Sequence, residues 1–176
     1  MVRNDCIREP YRKGSNEPGE GLLRELKVLV VEDDPAFSEL ISTIVQQDSR
    51  LRIVGVASDG IAAVSAAVEL QPDLVLSDIG LPKQNGLQAA RQILDLVPQS
   101  KIVFVTGESS PELVWHAIDL GASGYVSKLD VMAELLAAVS AVREGDKYVS
   151  AGCSGARVPS VSGGSVHLTA ELANTH

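Results

Sequence analysis

Aromatics, cysteine and basic charge are all scarce in this chain, and each shortage closes off a class of function. Aromatic residues make up 3% of the sequence, which leaves no set of rings on which single-stranded nucleic acid would stack. Cys6 and Cys153 are the two cysteines; they stand far apart in the least patterned segments, so neither a disulfide framework nor a CxxC metal site is indicated. Wholly apolar runs such as Val28 to Val31 are far short of the roughly 20 residues that a bilayer crossing needs. The N-terminus shows no basic start followed by an apolar block and a cleavage site, so we expect a cytoplasmic chain without membrane attachment. Lys and Arg number 15 against 23 Asp and Glu, a net charge of -8. That balance argues against a general binder of nucleic-acid backbones.

What is present is apolar material in a regular pattern. Hydrophobic residues form 45% of the 176 positions, enough for one buried core. The charge divides the chain: residues 1–26 hold five basic and five acidic side chains, 27–146 hold eight and seventeen, and 147–176 hold two and one. All of the acidic excess belongs to the middle segment, which is also the periodic one. The stretch from Glu9 to Gly19 mixes Gly, Pro and charge without periodicity, and past Tyr148 the chain turns to Ser, Gly and Ala. A single domain over 27–146 is therefore expected between a flexible N-terminal segment, 1–26, and a flexible Gly/Ser-rich tail, 147–176.

Within the middle segment β-branched runs alternate with helical spacing. Lys27–Val31, Leu51–Val56, Asp73–Ser77, Lys101–Val105 and Gly124–Val126 read as strands, and three of them are nearly continuous apolar runs, as in strands buried on both faces. Pro35 opens a helix with Phe37, Leu40, Ile41, Ile44 and Val45 on one face. Ile61, Val64 and Val68 predict the inward face of a second helix, and Leu87, Ala90, Leu94 and Val97 that of a third. Leu113, Ala117 and Leu120 mark a fourth, and Met132, Leu135, Leu136 and Val139 a fifth. The order is (βα)5, an α/β doubly wound parallel five-stranded sheet, and ligands bind such sheets outside the carboxyl ends of the strands.

Those strand ends carry the chemistry. The first strand runs into Glu32, Asp33 and Asp34, and the third ends at Asp78. Carboxylates converging there repel one another, and a hard divalent cation with oxygen ligands, Mg2+ above all, relieves the repulsion. An acid directly after Leu74-Val75-Leu76 is half-buried and costly unless it is paired or metal-bound. The loop from Asp78 to Gly86 supplies Pro82 for a turn and a glycine that can take positive φ. Thr106 and Gly107 end the fourth strand, pairing a hydroxyl with room for close approach, and Lys128 follows the fifth. A carboxylate nucleophile, a metal pocket, a hydroxyl and an ammonium make a site for a phosphoryl group, where catalysis is positioning and charge stabilisation.

With those residues in this order, Lys27 to Ser150 resembles the response-regulator receiver domain of bacterial two-component systems. The markers are Val30-Val31-Glu32-Asp33-Asp34-Pro35, Asp78-Ile79-Gly80-Leu81-Pro82 with Asn85-Gly86, Thr106-Gly107, and Gly121 through Lys128. That last run, with Glu134-Leu135 and the stretch Val142 to Ser150, resembles the NarL/LuxR-type subfamily. The resemblance implies a flavodoxin-like fold with strand order 2-1-3-4-5. It implies Asp78 as acceptor of a phosphoryl group from a histidine kinase or phosphotransfer protein, with Asp33 as direct Mg2+ ligand, Glu32 acting through water, and Gly80 lending its backbone carbonyl. Thr106 would close onto the phosphoryl oxygens, Lys128 would pair with them, and Tyr125 would be the aromatic switch. Signalling is then expected from the surface of the fourth helix, fifth strand and fifth helix, toward a second copy or an effector protein.

Trp115 and His116 fall off the stripe of the fourth helix and are candidates for that surface. Leu129 stands where the common family pattern has Pro, so no cis peptide is expected after Lys128. Only 31 residues follow Gly145, with Lys147 and Arg157 their sole basic side chains, so no DNA binding is expected from this chain although His167-Leu168-Thr169 faintly resembles the opening of an output domain. Either the receiver works alone through protein contacts, or its output domain has been lost. A signalling switch, not an enzyme, is the leading reading. A constitutive interaction module of the same fold is the alternative; a metal-dependent phosphatase would need an acid at position 80, where Gly80 stands.

Overall fold

A computed structural model describes residues 24–153. Cys6, the whole of 1–23 and the tail from 154 onward lie outside the described residues. The elements are β1 (Leu26–Val31), α1 (Pro35–Val45), β2 (Leu51–Ala57), α2 (Gly60–Leu70), β3 (Leu74–Ser77), α3 (Gly86–Leu96), β4 (Lys101–Thr106), α4 (Pro111–Leu120), β5 (Gly124–Ser127), α5 (Val131–Glu144), β6 (Tyr148–Val149) and a 3-10 turn, Ala151–Cys153. One sheet runs in the order β2-β1-β3-β4-β5-β6, every neighbouring pair parallel.

Alternate side chains of each central strand enter opposite cores, which is why those strands read as unbroken apolar runs. Leu29, Val31, Val75, Ile102 and Phe104 face α2, α3 and α4. Val28, Val30, Leu74, Leu76, Val103 and Val105 face α1 and α5. Pro35 opens α1, as its spacing predicts.

The expected strand order 2-1-3-4-5 is present, and a short sixth parallel strand extends it: Tyr148 N–H bonds to Ser123 O and Ser150 N–H to Tyr125 O, so the chain after α5 returns alongside β5. Residues 148–153 of the expected flexible tail therefore belong to the fold, and Cys153 is buried among Tyr125 and its neighbours. The reason is side-chain hydrogen bonding that composition does not reveal: Tyr148 Oη donates to Glu134, and Ser150 Oγ accepts from Ser127 N–H.

The inward face of α2 is Gly60, Ala63 and Ala67, while Ile61 and Val68 are exposed. This helix carries only two polar side chains, Ser65 and Glu69, so spacing alone chooses its face poorly, and close packing on β2 and α3 selects the smallest side chains. In α5 Met132 likewise turns outward and Val131 takes the buried place. No described peptide bond is cis.

Candidate functional site

Parallel register builds the site. Val31 pairs with Ser77, so Glu32 and Asp78 leave adjacent strands side by side. Thr106 pairs with Ser127, and Lys128 N–H bonds to Thr106 O at 2.9 Å. Four strand ends thus deliver Glu32, Asp78, Thr106 and Lys128 to one edge.

Oxygens of Glu32, Asp33 and Asp78 lie within 4.8 Å of one another. Asp34 is not among them: its carboxylate caps α1, accepting from Ala36 N–H at 2.9 Å and Phe37 N–H at 3.3 Å. Glu32 is buried, Asp33 exposed, and Asp78 8% exposed. Asp78 Oδ1 accepts from Ile79 N–H at 2.6 Å and Gly80 N–H at 3.3 Å, and its Oδ2 accepts from Lys128 Nζ at 2.8 Å. The same ammonium stands 2.7 Å from Glu32 Oε2 and 4.5 Å from the centre of the Phe37 ring.

Burial raises the Glu32 carboxyl above the ordinary glutamate range, and the bonds from Lys128 and Asp34 only partly offset it. Burial also works against the Lys128 ammonium, but hydrogen bonds to Asp78 and Glu32 outweigh it and its pKa is raised. Glu32 Oε2 is nevertheless left without a well-directed hydrogen bond. A buried carboxylate oxygen with spare capacity, in a set of all-oxygen donors, fits a small hard cation. About 2.1 Å bonds span about 4.2 Å across an octahedron, and a metal-bound water extends that reach. An open groove of about 390 Å³ adjoins the acids, lined by Glu32, Asp33, Pro35, Ser38, Glu39 and Val56 among others.

The Thr106 hydroxyl does not touch Asp78; it accepts from Glu108 N–H at 3.3 Å. Tyr125 is fully buried, and its hydroxyl donates to Glu108 O at 2.8 Å. Gly80 is exposed, with nothing within 4 Å of where a Cβ would stand. Gly86 does not take positive φ; the left-handed residue of its loop is Lys83, φ 62°. Glycine is needed at 86 for another reason: a Cβ there would lie 2.0 Å from the Asp78 carbonyl oxygen. Trp115 and His116 are both exposed on α4. Spacing places Phe37 only on a core stripe and gives little sign of Asp59 and Lys83, which form an ion pair near the loop after β3. The one signal for the latter was an acid and a glycine at the start of an apolar helix.

Residues 28–140 match the response regulator receiver domain. The chain belongs to that family. Among curated relatives, a protein-glutamate methylesterase/protein-glutamine glutaminase of Syntrophus aciditrophicus is 34% identical over 68% of this chain and 37% of its own length. The oxygen regulatory protein NreC of Staphylococcus aureus is 30% identical over 70% of this chain and 58% of its own length. The receiver chain thus spans roughly half or less of these relatives. A LuxR-family two-component response regulator from Aurantimonas superposes with a TM-score of 0.71 at 28% identity, covering 74% of this chain and 93% of that one. The flavodoxin-like fold and the NarL/LuxR-type relationship are as the motifs imply, and among the described residues no helix is long and apolar enough to cross a membrane.

Proposed function

We propose that this receiver is a phosphoacceptor switch in the cytoplasm, with Asp78 taking a phosphoryl group from the phosphohistidine of a histidine kinase or phosphotransfer protein. The observation that carries the reading is the junction of Glu32, Asp33 and Asp78 with Lys128, where one ammonium is shared by two buried carboxylates. An Asp78 carboxylate oxygen attacks phosphorus, the N–P bond breaks, and the imidazole leaves with that electron pair, so an acyl phosphate forms. Glu32, Asp33, Asp78 and the Gly80 carbonyl would hold Mg2+, which when bound neutralises charge on the phosphoryl oxygens. Lys128 pairs with those oxygens from the other side, and backbone N–H groups of Ile79 and Gly80 keep Asp78 oriented.

The readout follows from Glu108. Its N–H is bonded to Thr106 and its carbonyl to Tyr125, so both switch residues are fastened to one peptide segment. A phosphoryl group adds nearly two negative charges and three acceptors. Thr106 then leaves Glu108 to reach them, the loop before α4 shifts, and the change reaches the α4–β5–α5 surface, where Trp115 is exposed. Self-association or docking to an effector protein through that surface is the output. DNA is not a ligand of this acidic domain, and the acyl phosphate is a signal, not a turnover product.

Acetyl phosphate with Mg2+ should add the mass of one phosphoryl group to the wild type and none to Asp78→Asn. Beryllofluoride with Mg2+ should change sedimentation or effector affinity. Absence of any mass gain, together with identical behaviour of free and beryllofluoride-treated protein, would leave the fold as a constitutive interaction module.

A further inference from the structure

Asp59 is the N-cap of α2, one carboxylate oxygen accepting from Ala62 N–H at 2.8 Å. Its other oxygen receives Lys83 Nζ at 2.6 Å. Lys83 sits midway along the loop between β3 and α3, and its own φ of 62° is an unfavourable conformation for a residue with a Cβ. Beside this pair the loop comes so close to α2 that a Cβ on Gly60 would lie 2.1 Å from the Gln84 carbonyl oxygen. At the loop's far end Gly86 N–H bonds to Ile79 O at 2.8 Å. In the same loop stands Gly80, exposed, its N–H bonded to Asp78 Oδ1 at 3.3 Å and with open space where a Cβ would be.

We infer that the Asp59–Lys83 pair, with the close seat of Gln84 on Gly60, is a latch that holds the β3–α3 loop and thereby positions Gly80 for the metal. The inference rests on the receiver reading for the metal itself. Asp59 and Lys83 are positioning residues: neither lies in the acid cluster, and both act through the backbone of residues 79–86. Asp59 is suited to this because it is buried and already oriented by the helix it caps, while the Lys83 side chain comes from the solvent side.

The test compares the full-length wild type with Lys83→Met, Asp59→Asn and the double variant. Asn retains an oxygen acceptor for the α2 cap and turns an amide N–H2 toward Lys83, removing both the charge and the acceptor that the ammonium uses. Titration with Mg2+ alone by calorimetry should show each single variant binding about 10-fold more weakly, at the low end of outer-shell metal effects. The double variant should lose no more than either single, because one interaction is removed twice. Lys83→Arg should restore most of the affinity, and hydrogen exchange in residues 79–86 should quicken in Lys83→Met. Unchanged Mg2+ affinity, or losses that multiply in the double variant, would overturn the latch. A wild type that does not bind Mg2+ refutes the receiver reading instead; exchange data then still judge the latch, since unaltered protection of 79–86 in Lys83→Met overturns it.

Discussion

The Lys128 ammonium stands 2.7 Å from Glu32, whose side chain has no exposed surface. Removing the cation strands a buried carboxylate that otherwise shares it with Asp78. Lys128→Met should lower stability by about 2 kcal/mol, less than for a fully buried pair because Lys128 is partly solvated. Mg2+ should recover much of that loss, since no ammonium then competes for the acids. Urea denaturation with and without Mg2+ measures both effects, and a deficit that Mg2+ leaves untouched contradicts the shared-cation picture.

Tyr125 and Thr106 act through the same peptide segment. Tyr125→Phe removes the bond to Glu108 O, leaving that carbonyl short of a partner at a cost of about 1 kcal/mol. Thr106→Ala removes the bond to Glu108 N–H. The double variant should lose less than the sum of the two by at least about 0.5 kcal/mol. Strict additivity in equilibrium unfolding would mean that Thr106 and Tyr125 are not mechanically joined in the free protein.

Gly86→Ala places a Cβ 2.0 Å from a backbone oxygen, Asp78 O, where no side-chain rotation gives relief. The loop must open, and a loss of about 2 kcal/mol or more is expected. Gly107→Ala is the control: nothing lies within 4 Å of its Cβ position, and stability there should hardly change. Denaturant midpoints of the two variants give the comparison.

Burial, together with the hydrogen bond to Glu134, pushes the Tyr148 phenol up to about 12. The folded pKa exceeds the ordinary value of 10.0, so the contribution is complete below pH 10 and is lost as pH rises toward about 12. An ultraviolet tyrosinate titration should show two late-titrating phenols, those of Tyr125 and Tyr148; the earlier of the two should disappear in Tyr148→Phe, and that variant should lose less stability over the same alkaline range. A wild type whose only late phenol is the one that persists in Tyr148→Phe would mean that β6 is not held by this bond.

Much of the architecture was legible because its causes are local. Runs such as Leu74-Val75-Leu76 declare strands covered on both faces, and Pro35 declares a helix start. The acids at 32, 33 and 78, the hydroxyl at 106 and the ammonium at 128 each stand at or just past the end of a strand, so a parallel sheet must carry them to the same edge.

The chain order of strands and site residues, and the acidic character of the edge, were therefore determined by the sequence itself. Tertiary structure decided what depends on distances between remote segments. It assigned Asp34 to capping α1 instead of to the acid cluster, and turned Ala63 and Ala67 inward where larger side chains had matched the period. It also carried Tyr148 back to β5 as a sixth strand and set Lys83 against Asp59. These outcomes turn on how closely two backbones approach and which hydrogen-bond donors remain to be satisfied, and neither quantity is carried by hydrophobic spacing along a single chain.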